Sequence, residues 1–375
     1  MIYLDYNATT PVDEQVLETM LPYFTLKFGN AASVTHVYGI QAKQAVDAAR
    51  HSIAKQINAS PEEITFTSGS TEAINLAIKG VWNLYQTKGK HIITVKSEHH
   101  AVLDTCHFLS GKGALVTYLD VDKNGLINLN QLESAITPQT VLVAVMYANN
   151  ETGVVQPVRE IADIIHQKNS IFFCDATQAM GKIPVDVDKD GIDMLCISGH
   201  QIYAPKGVGC LYTRRKNPRV SLEPLLHGGG HEQGKRSGTL NVPGIVALGK
   251  AVELFAFDIS LEKLRNEFEF SLIQHFGNLL QINGKNVLRI PNTSNIEFPF
   301  KAADFIRQTK TKLAVSTGSA CTSAENKPSH VLTAMGLSKE NAERCIRFSL
   351  GKYTTQADIQ STIEIIKQIQ VIKND

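Results

Sequence analysis

A surplus of charge of one sign is what this sequence lacks most plainly. Its 37 Lys and Arg stand against 36 Asp and Glu, a formal net charge of +1 over 375 residues. Nucleic-acid binders and proteins held to anionic membranes carry a basic excess, so neither partner is expected. Long hydrophobic runs are missing too. The longest clean one, residues 141–148, is far shorter than the roughly 20 residues a bilayer span needs. No internal repeat or low-complexity tract is visible. The start, "MIYLDYNATTP", has no basic region and carries Asp5 early, so no secretory signal is expected. The six cysteines (106, 174, 196, 210, 321, 345) show no CxxC spacing. They read as free thiols of a cytoplasmic chain, not as a disulfide framework.

What is present is a core. Hydrophobic residues make up 43% and charged residues 19%, enough for one large domain and a smaller one. Strand-like apolar runs fall at 63–67, 91–96, 115–120, 141–148, 171–176, 194–198 and 207–213, with helical patterns at 41–57, 70–86 and 161–168. That alternation predicts an α/β fold with a mainly parallel sheet covered by helices, and a ligand crevice beyond the carboxyl ends of the strands. The pattern changes near residue 256 to a long helix, short mixed strands and a final helix from about Thr355. The large domain is therefore drawn as 13–255, and a smaller α+β domain as 1–12 with 256–375.

Chemistry-bearing residues gather at the strand ends. "TFTSGSTEAINLAI" places Ser70 and Thr71 where a strand gives way to a helix. They read either as an anion site on exposed N–H groups or simply as an N-cap. "SEHHAV" offers His99 and His100, whose adjacency argues against a shared metal. Asp175 in "FFCDATQAM" is a carboxylate at the end of an apolar strand. It would either cap a turn or meet a cation such as a pyridinium nitrogen, with Gln178 three residues on. Asn149 and Asn150 could form a turn, or one of them could bind a ligand. "VSTGSACTSAENKP" surrounds Cys321 with small polar residues that suit an exposed loop and a nucleophilic thiol. In "CIRFSLGKYT" Arg347 alternates with apolar residues; it is either solvated or a guanidinium fork for a carboxylate.

Order and spacing together are more specific than any one motif. "YLDYNATTPVD", "GNAASVTHVYG", "TFTSGSTEAINLAIKG", "EHHAVLDTC", "ANNETGVVQP", "DATQAMGKIPVD", "HGGGHEQGKRSGTLNV", "STGSACTSA" and "IRFSLGKYTT" run through essentially the whole chain. The chain closely resembles the cysteine desulfurases, the NifS/IscS-like branch of the class V aminotransferase family of pyridoxal 5'-phosphate (PLP) enzymes. The resemblance implies the aspartate aminotransferase-like fold, its large domain built on a seven-stranded sheet. It also implies a role for each residue. His99 stacks on the pyridine ring, Asp175 pairs with the ring nitrogen, and Gln178 meets the ring hydroxyl. Ser70, Thr71, Ser198 and His200 bind the phosphate, joined by Thr239 from the second subunit of a homodimer. Asn150 and Arg347 hold the carboxylate of L-cysteine. Cys321 takes the sulfur as a persulfide, leaving alanine, and passes it to an acceptor such as an iron–sulfur scaffold protein.

One position departs from the pattern. In "SGHQIYAPKGVG" the family's cofactor-bearing lysine is replaced by Gln201. An amide is neither nucleophilic nor basic, so PLP is expected to be held non-covalently. Lys206 is no substitute, because the resembling pattern has a lysine there as well. Two readings stay open: a desulfurase inactivated by a Lys→Gln change, which the otherwise intact site favours, or a natural PLP-binding pseudoenzyme or regulator of sulfur transfer. A selenocysteine lyase-like relative or a small-amino-acid transaminase is a further alternative. The loop thiol speaks against the transaminase. The sequence given ends at "IIKQIQVIKND", whereas longer relatives carry a further extension that docks a scaffold protein.

Overall fold

The structure is a computed structural model that describes residues 1–255, 259–318 and 328–368. The chain opens with β1 (Ile2–Tyr3). The large sheet follows as β2 (Ile64–Thr67), β3 (His91–Val95), β4 (Leu115–Leu119), β5 (Thr140–Met146), β6 (Ile171–Asp175), β7 (Met194–Ser198) and β8 (Gly209–Thr213). The seven runs read from the sequence are these seven strands, their ends agreeing to within two residues. The spatial order is β2-β8-β7-β6-β5-β3-β4. All pairings are parallel except those of β8, which runs antiparallel to both β2 and β7.

Burial on both faces explains why these strands read as unbroken apolar runs. On β6, Phe172 and Cys174 join the core of one face while Phe173 joins that of the other. Helix Ser70–Tyr85 covers one side, and helices Val37–Gln56, Val158–Gln167 and Val242–Glu253 pack the opposite core. With β2, β3, β5, β6 and β7 pointing the same way, their carboxyl ends share one edge.

The C-terminal part builds a second core. β9 (Gln281–Ile282), β10 (Thr293–Glu297) and β12 (Cys345–Ser349) form an antiparallel sheet, and β11 (Leu313–Ala314) pairs in parallel with β1. Helix Ile259–Phe276 and helix Gln356–Lys367, capped by Thr355, pack on it around Phe268, Phe298, Phe305 and Phe348. The first residues of the chain thus belong to a sheet completed more than 300 residues later, an isolated bridge between Asp5 and Ser349 extending the link.

Candidate active site

At the shared strand edge a cavity is lined by Asn7, Ser70, Thr71, His99, Asn150, Asp175, Thr177, Gln178, His200, Gln201 and Arg347, among others. Every one of these except Asn7 and Arg347 follows or ends a strand of the large sheet.

Helix Ser70–Tyr85 begins at Gly69, which supplies no side-chain cap. The N-cap reading of Ser70 and Thr71 is therefore overturned: both lie in the first turn, beside backbone N–H groups free to meet an anion. The turn is tight. Gly69 has φ of 152°, and a Cβ built on Gly209 would lie 2.7 Å from the Gly69 Cα, so neither position tolerates a side chain. Ser198 is buried beneath this turn, its Oγ 3.9 Å from where a Gly69 Cβ would be, and it does not line the cavity.

His99 caps the helix His100–Ser110, accepting the Ala101 N–H at its Nδ1. Burial, opposed by the nearby Asp175 charge, draws its imidazole below the usual range. His200 lies in the short turn Gly199–Gln201 after β7, its Nδ1 3.2 Å from the Thr9 hydroxyl, and burial lowers it too. Asp175 ends β6. Its Oδ1 accepts the Thr177 N–H at 3.0 Å and the Cys196 thiol at 3.1 Å. So the turn-capping reading holds for one oxygen, while Oδ2 accepts no hydrogen bond among the described residues.

The two asparagines divide their work. Asn149 forms the turn, its Oδ1 accepting the N–H groups of Glu151 and Thr152. Asn150 is the one that lines the cavity. Its carbonyl accepts from Asn7 Nδ2 at 3.2 Å and from Arg347 at 3.0 Å.

Arg347 is only 1% exposed, so the solvated reading fails. It ion-pairs with Asp5 at 2.7 Å, and its Nε is buried with no partner among the described residues. Neither Asp5 nor Asn7 was picked out from the sequence as a site residue. Both act across the seam between the two cores, where no local spacing could announce them.

Gln201 is 5% exposed and fully engaged. Its amide donates to the carbonyls of Asn7 (2.9 Å) and Ala8 (3.2 Å), and its Oε1 accepts from Gln178 at 3.3 Å. Gln178 in turn accepts from the Lys182 amine. Lys206 is exposed and lines no part of the cavity.

Thr239 is exposed and also outside the cavity lining. Cys321 lies outside the described residues, yet both flanks of its segment are tied to the site. Ser316 exchanges backbone hydrogen bonds with Arg347, and Ser329 donates to the Glu151 carboxylate at 2.5 Å. The five described cysteines are all buried. Burial pushes the thiols of Cys106, Cys210 and Cys345 up to about 12, and raises those of Cys174 and Cys196 as well. None of the five is a plausible thiolate near neutrality. Native-state alkylation at neutral pH is accordingly expected to mark Cys321 and leave the other five unmodified, as peptide mass mapping would report. Equal labelling of Cys196 would contradict the burial argument. No group of His, Cys, Asp and Glu among the described residues could hold a metal ion.

A PLP-shaped donor set is recognisable here. A free carboxylate oxygen, a neutral imidazole, a helix start rich in hydroxyls and an orphaned guanidinium N–H meet in one cavity, so the residues fit the cofactor that the sequence implies.

Comparison with known proteins agrees. Residues 2–361 match the family described as Aminotransferase class-V. The cysteine desulfurase IscS of Anaeromyxobacter dehalogenans (strain 2CP-C) is 48% identical over 369 residues, 97% of this chain and 91% of its own length. That of Neisseria meningitidis serogroup C (strain FAM18) is 49% identical over 373 residues, covering 98% and 91%. Among solved structures, a NifS-like protein superposes with a TM-score of 0.90 at 38% identity, covering 98% of both chains. One described as SspA in complex with cysteine gives 0.85 at 41%, covering 95% of this chain and all of that one. The chain therefore belongs to the class-V aminotransferase family, among the homologues of the NifS/IscS-like cysteine desulfurases.

Proposed function

We propose that this protein is built as a PLP-dependent cysteine desulfurase whose turnover is blocked at Gln201. The observation that carries the reading is the convergence of Asp175, His99, Gln178, Asn150 and Arg347 on one cavity beside the open helix start at Ser70 and Thr71. PLP bound there would supply an electron sink for bond breaking in the amino acid.

The chain's own residues do the rest. The free Oδ2 of Asp175 holds the proton of the ring nitrogen. His99, neutral near pH 7, stacks on the ring without adding charge. Gln178 contacts the ring hydroxyl. Ser70, Thr71 and His200 hold the phosphate, Ser198 supports the turn beneath it, and Thr239 reaches in from a second subunit. Asn150 and the Nε edge of Arg347 take the carboxylate of L-cysteine. Cys321 accepts the sulfur as a persulfide, L-alanine is the co-product, and an iron–sulfur scaffold protein or a similar acceptor receives the sulfur. Residue 201 contributes no covalent bond and no base. On this reading residues 1–12 and 256–375 act as a unit that carries Cys321 to the crevice of 13–255.

The test is uptake and fate of the ligands. The purified chain is expected to bind PLP, and borohydride is expected to fix none of it at position 201. L-cysteine given to a Gln201→Lys variant should leave an extra sulfur on Cys321, detected by mass spectrometry. Alanine formed with no sulfur on Cys321 would favour a lyase over a desulfurase.

An apolar face supports the homodimer reading. Phe24, Leu26, Phe28, Val34, Val37 and Tyr38 are each more than half exposed in the single chain, a cluster that a monomer rarely shows to water. Sedimentation is expected to give a dimer, and paired Leu26→Asp and Phe28→Asp changes a monomer. A stable monomer of the unaltered chain that binds PLP with undiminished affinity would remove Thr239 from the site.

A further inference from the structure

We infer that Lys182 is the amine that forms the covalent link to the cofactor which residue 201 cannot form. The inference rests on the PLP reading of the cavity and goes beyond it.

Lys182 follows the turn at Gly181 and reaches inward, not toward solvent. Its amine hydrogen-bonds the Oε1 of Gln178, and the other end of the same amide donates to Gln201 Oε1 at 3.3 Å. The amine is thus one side chain removed from position 201. A second cavity, larger than the first at about 310 Å³, is lined by both Lys182 and Gln201. Gln201 also lines the cofactor cavity, so the two spaces meet at this residue. Lys182 lines only the second cavity, so reaching the cofactor requires its four-bond side chain to leave Gln178 and pass Gln201.

The electrostatics suit an amine nucleophile. No carboxylate lies within ion-pair distance of Lys182 among the described residues. Lys352, which lines the second cavity too, is tied to Asp13 at 2.5 Å. Burial, with Arg347 adding its positive charge, lowers the Lys182 amine to about 7, so a large fraction is neutral at physiological pH. His200 feels the Lys182 charge in the same way, which couples the amine to two residues of the cofactor cavity. Holding an unpaired amine out of water is unfavourable, and lysines kept so are the ones that react with carbonyls.

The step balances without a further reagent. The neutral amine gives its lone pair to the aldehyde carbon of PLP and a C–N bond forms. The aldehyde oxygen leaves as one molecule of water, taking both protons of the amine, and a C=N bond remains. Nothing is oxidised or reduced.

The experiment is reduction of the PLP-loaded, otherwise unaltered chain with sodium borohydride, then digestion and peptide mass mapping. Bound PLP is measured in parallel by equilibrium dialysis. The expected result is close to one reduced cofactor per chain, on the peptide containing Lys182. That label should be lost in Lys182→Met and in Lys182→Arg, with the dialysis affinity falling but not vanishing. Bound PLP with no label, or with label spread over exposed lysines such as Lys206, would overturn the role of Lys182 alone. Absence of any bound PLP would overturn the cavity reading along with it.

Discussion

Replacing Gln201 by lysine is expected to raise alanine production from L-cysteine by about 10²–10⁴-fold, the usual worth of a positioned acid–base group. The space is prepared for it. Gln201 already points a nitrogen at the carbonyls of Asn7 and Ala8, and an ammonium can donate to the same two oxygens. Arg347 lines the same cavity and residue 201 is buried, so the introduced amine meets positive charge away from water. Both influences favour its neutral, nucleophilic form. Covalent loading and catalysis overlap in this one residue, so their effects do not multiply. Borohydride should now fix the cofactor at position 201, and the yellow absorbance should become pH-sensitive. Gln201→Met, similar in bulk but without a nitrogen, should bind PLP and stay as inactive as the parent. A Gln201→Lys chain that loads covalently yet makes no alanine would show that the site has decayed beyond one residue. The natural pseudoenzyme reading would then replace the inactivated-enzyme one.

The sequence disclosed what local physics encodes. A strand covered on both faces must be apolar throughout, so "FFC" and "VLVAVM" were readable as buried parallel strands without any structure. The residues at strand ends, Thr71, His99, Asn150 and Asp175, were legible because polar groups abruptly follow such runs. Gly69 as the helix start was not, since Ser70 and Thr71 are better caps by type. The close approach of Gly209 decides the matter, and that approach lies 140 positions away in the chain. Asp5, Asn7 and Lys182 stayed hidden for a related reason. Their contacts run to Arg347, Gln201 and Gln178 through the fold, and a lysine in "MGKIP" looks like any surface lysine until its amine is found pointing inward.

The Asp5–Arg347 pair is expected to be sensitive to substitution, and unequally so. Arg347 has a side chain 1% exposed, while that of Asp5 is 20% exposed. Removing the carboxylate strands a guanidinium in the interior, whereas removing the guanidinium leaves a carboxylate that water still reaches. Breaking a buried pair from one side costs about 3–5 kcal/mol. Asp5→Asn should fall in that range by urea unfolding, and Arg347→Met clearly below it. A loss within about 0.5 kcal/mol for Asp5→Asn, the scale of an ordinary surface change, would mean that the Asn150 carbonyl already suffices to hold the arginine. The same pair bears on ligand binding. In the unaltered chain the Nε of Arg347 has no partner among the described residues, while its NH2 group faces the Asp5 carboxylate. In Asp5→Asn the NH2 group loses its anionic partner and faces only a neutral amide. L-cysteine, or acetate as a bare carboxylate probe, should therefore raise the melting temperature of Asp5→Asn more than that of the parent. It should do nothing for Arg347→Met beyond its effect on an unrelated protein. An equal rise in all three chains would place the carboxylate somewhere other than Arg347.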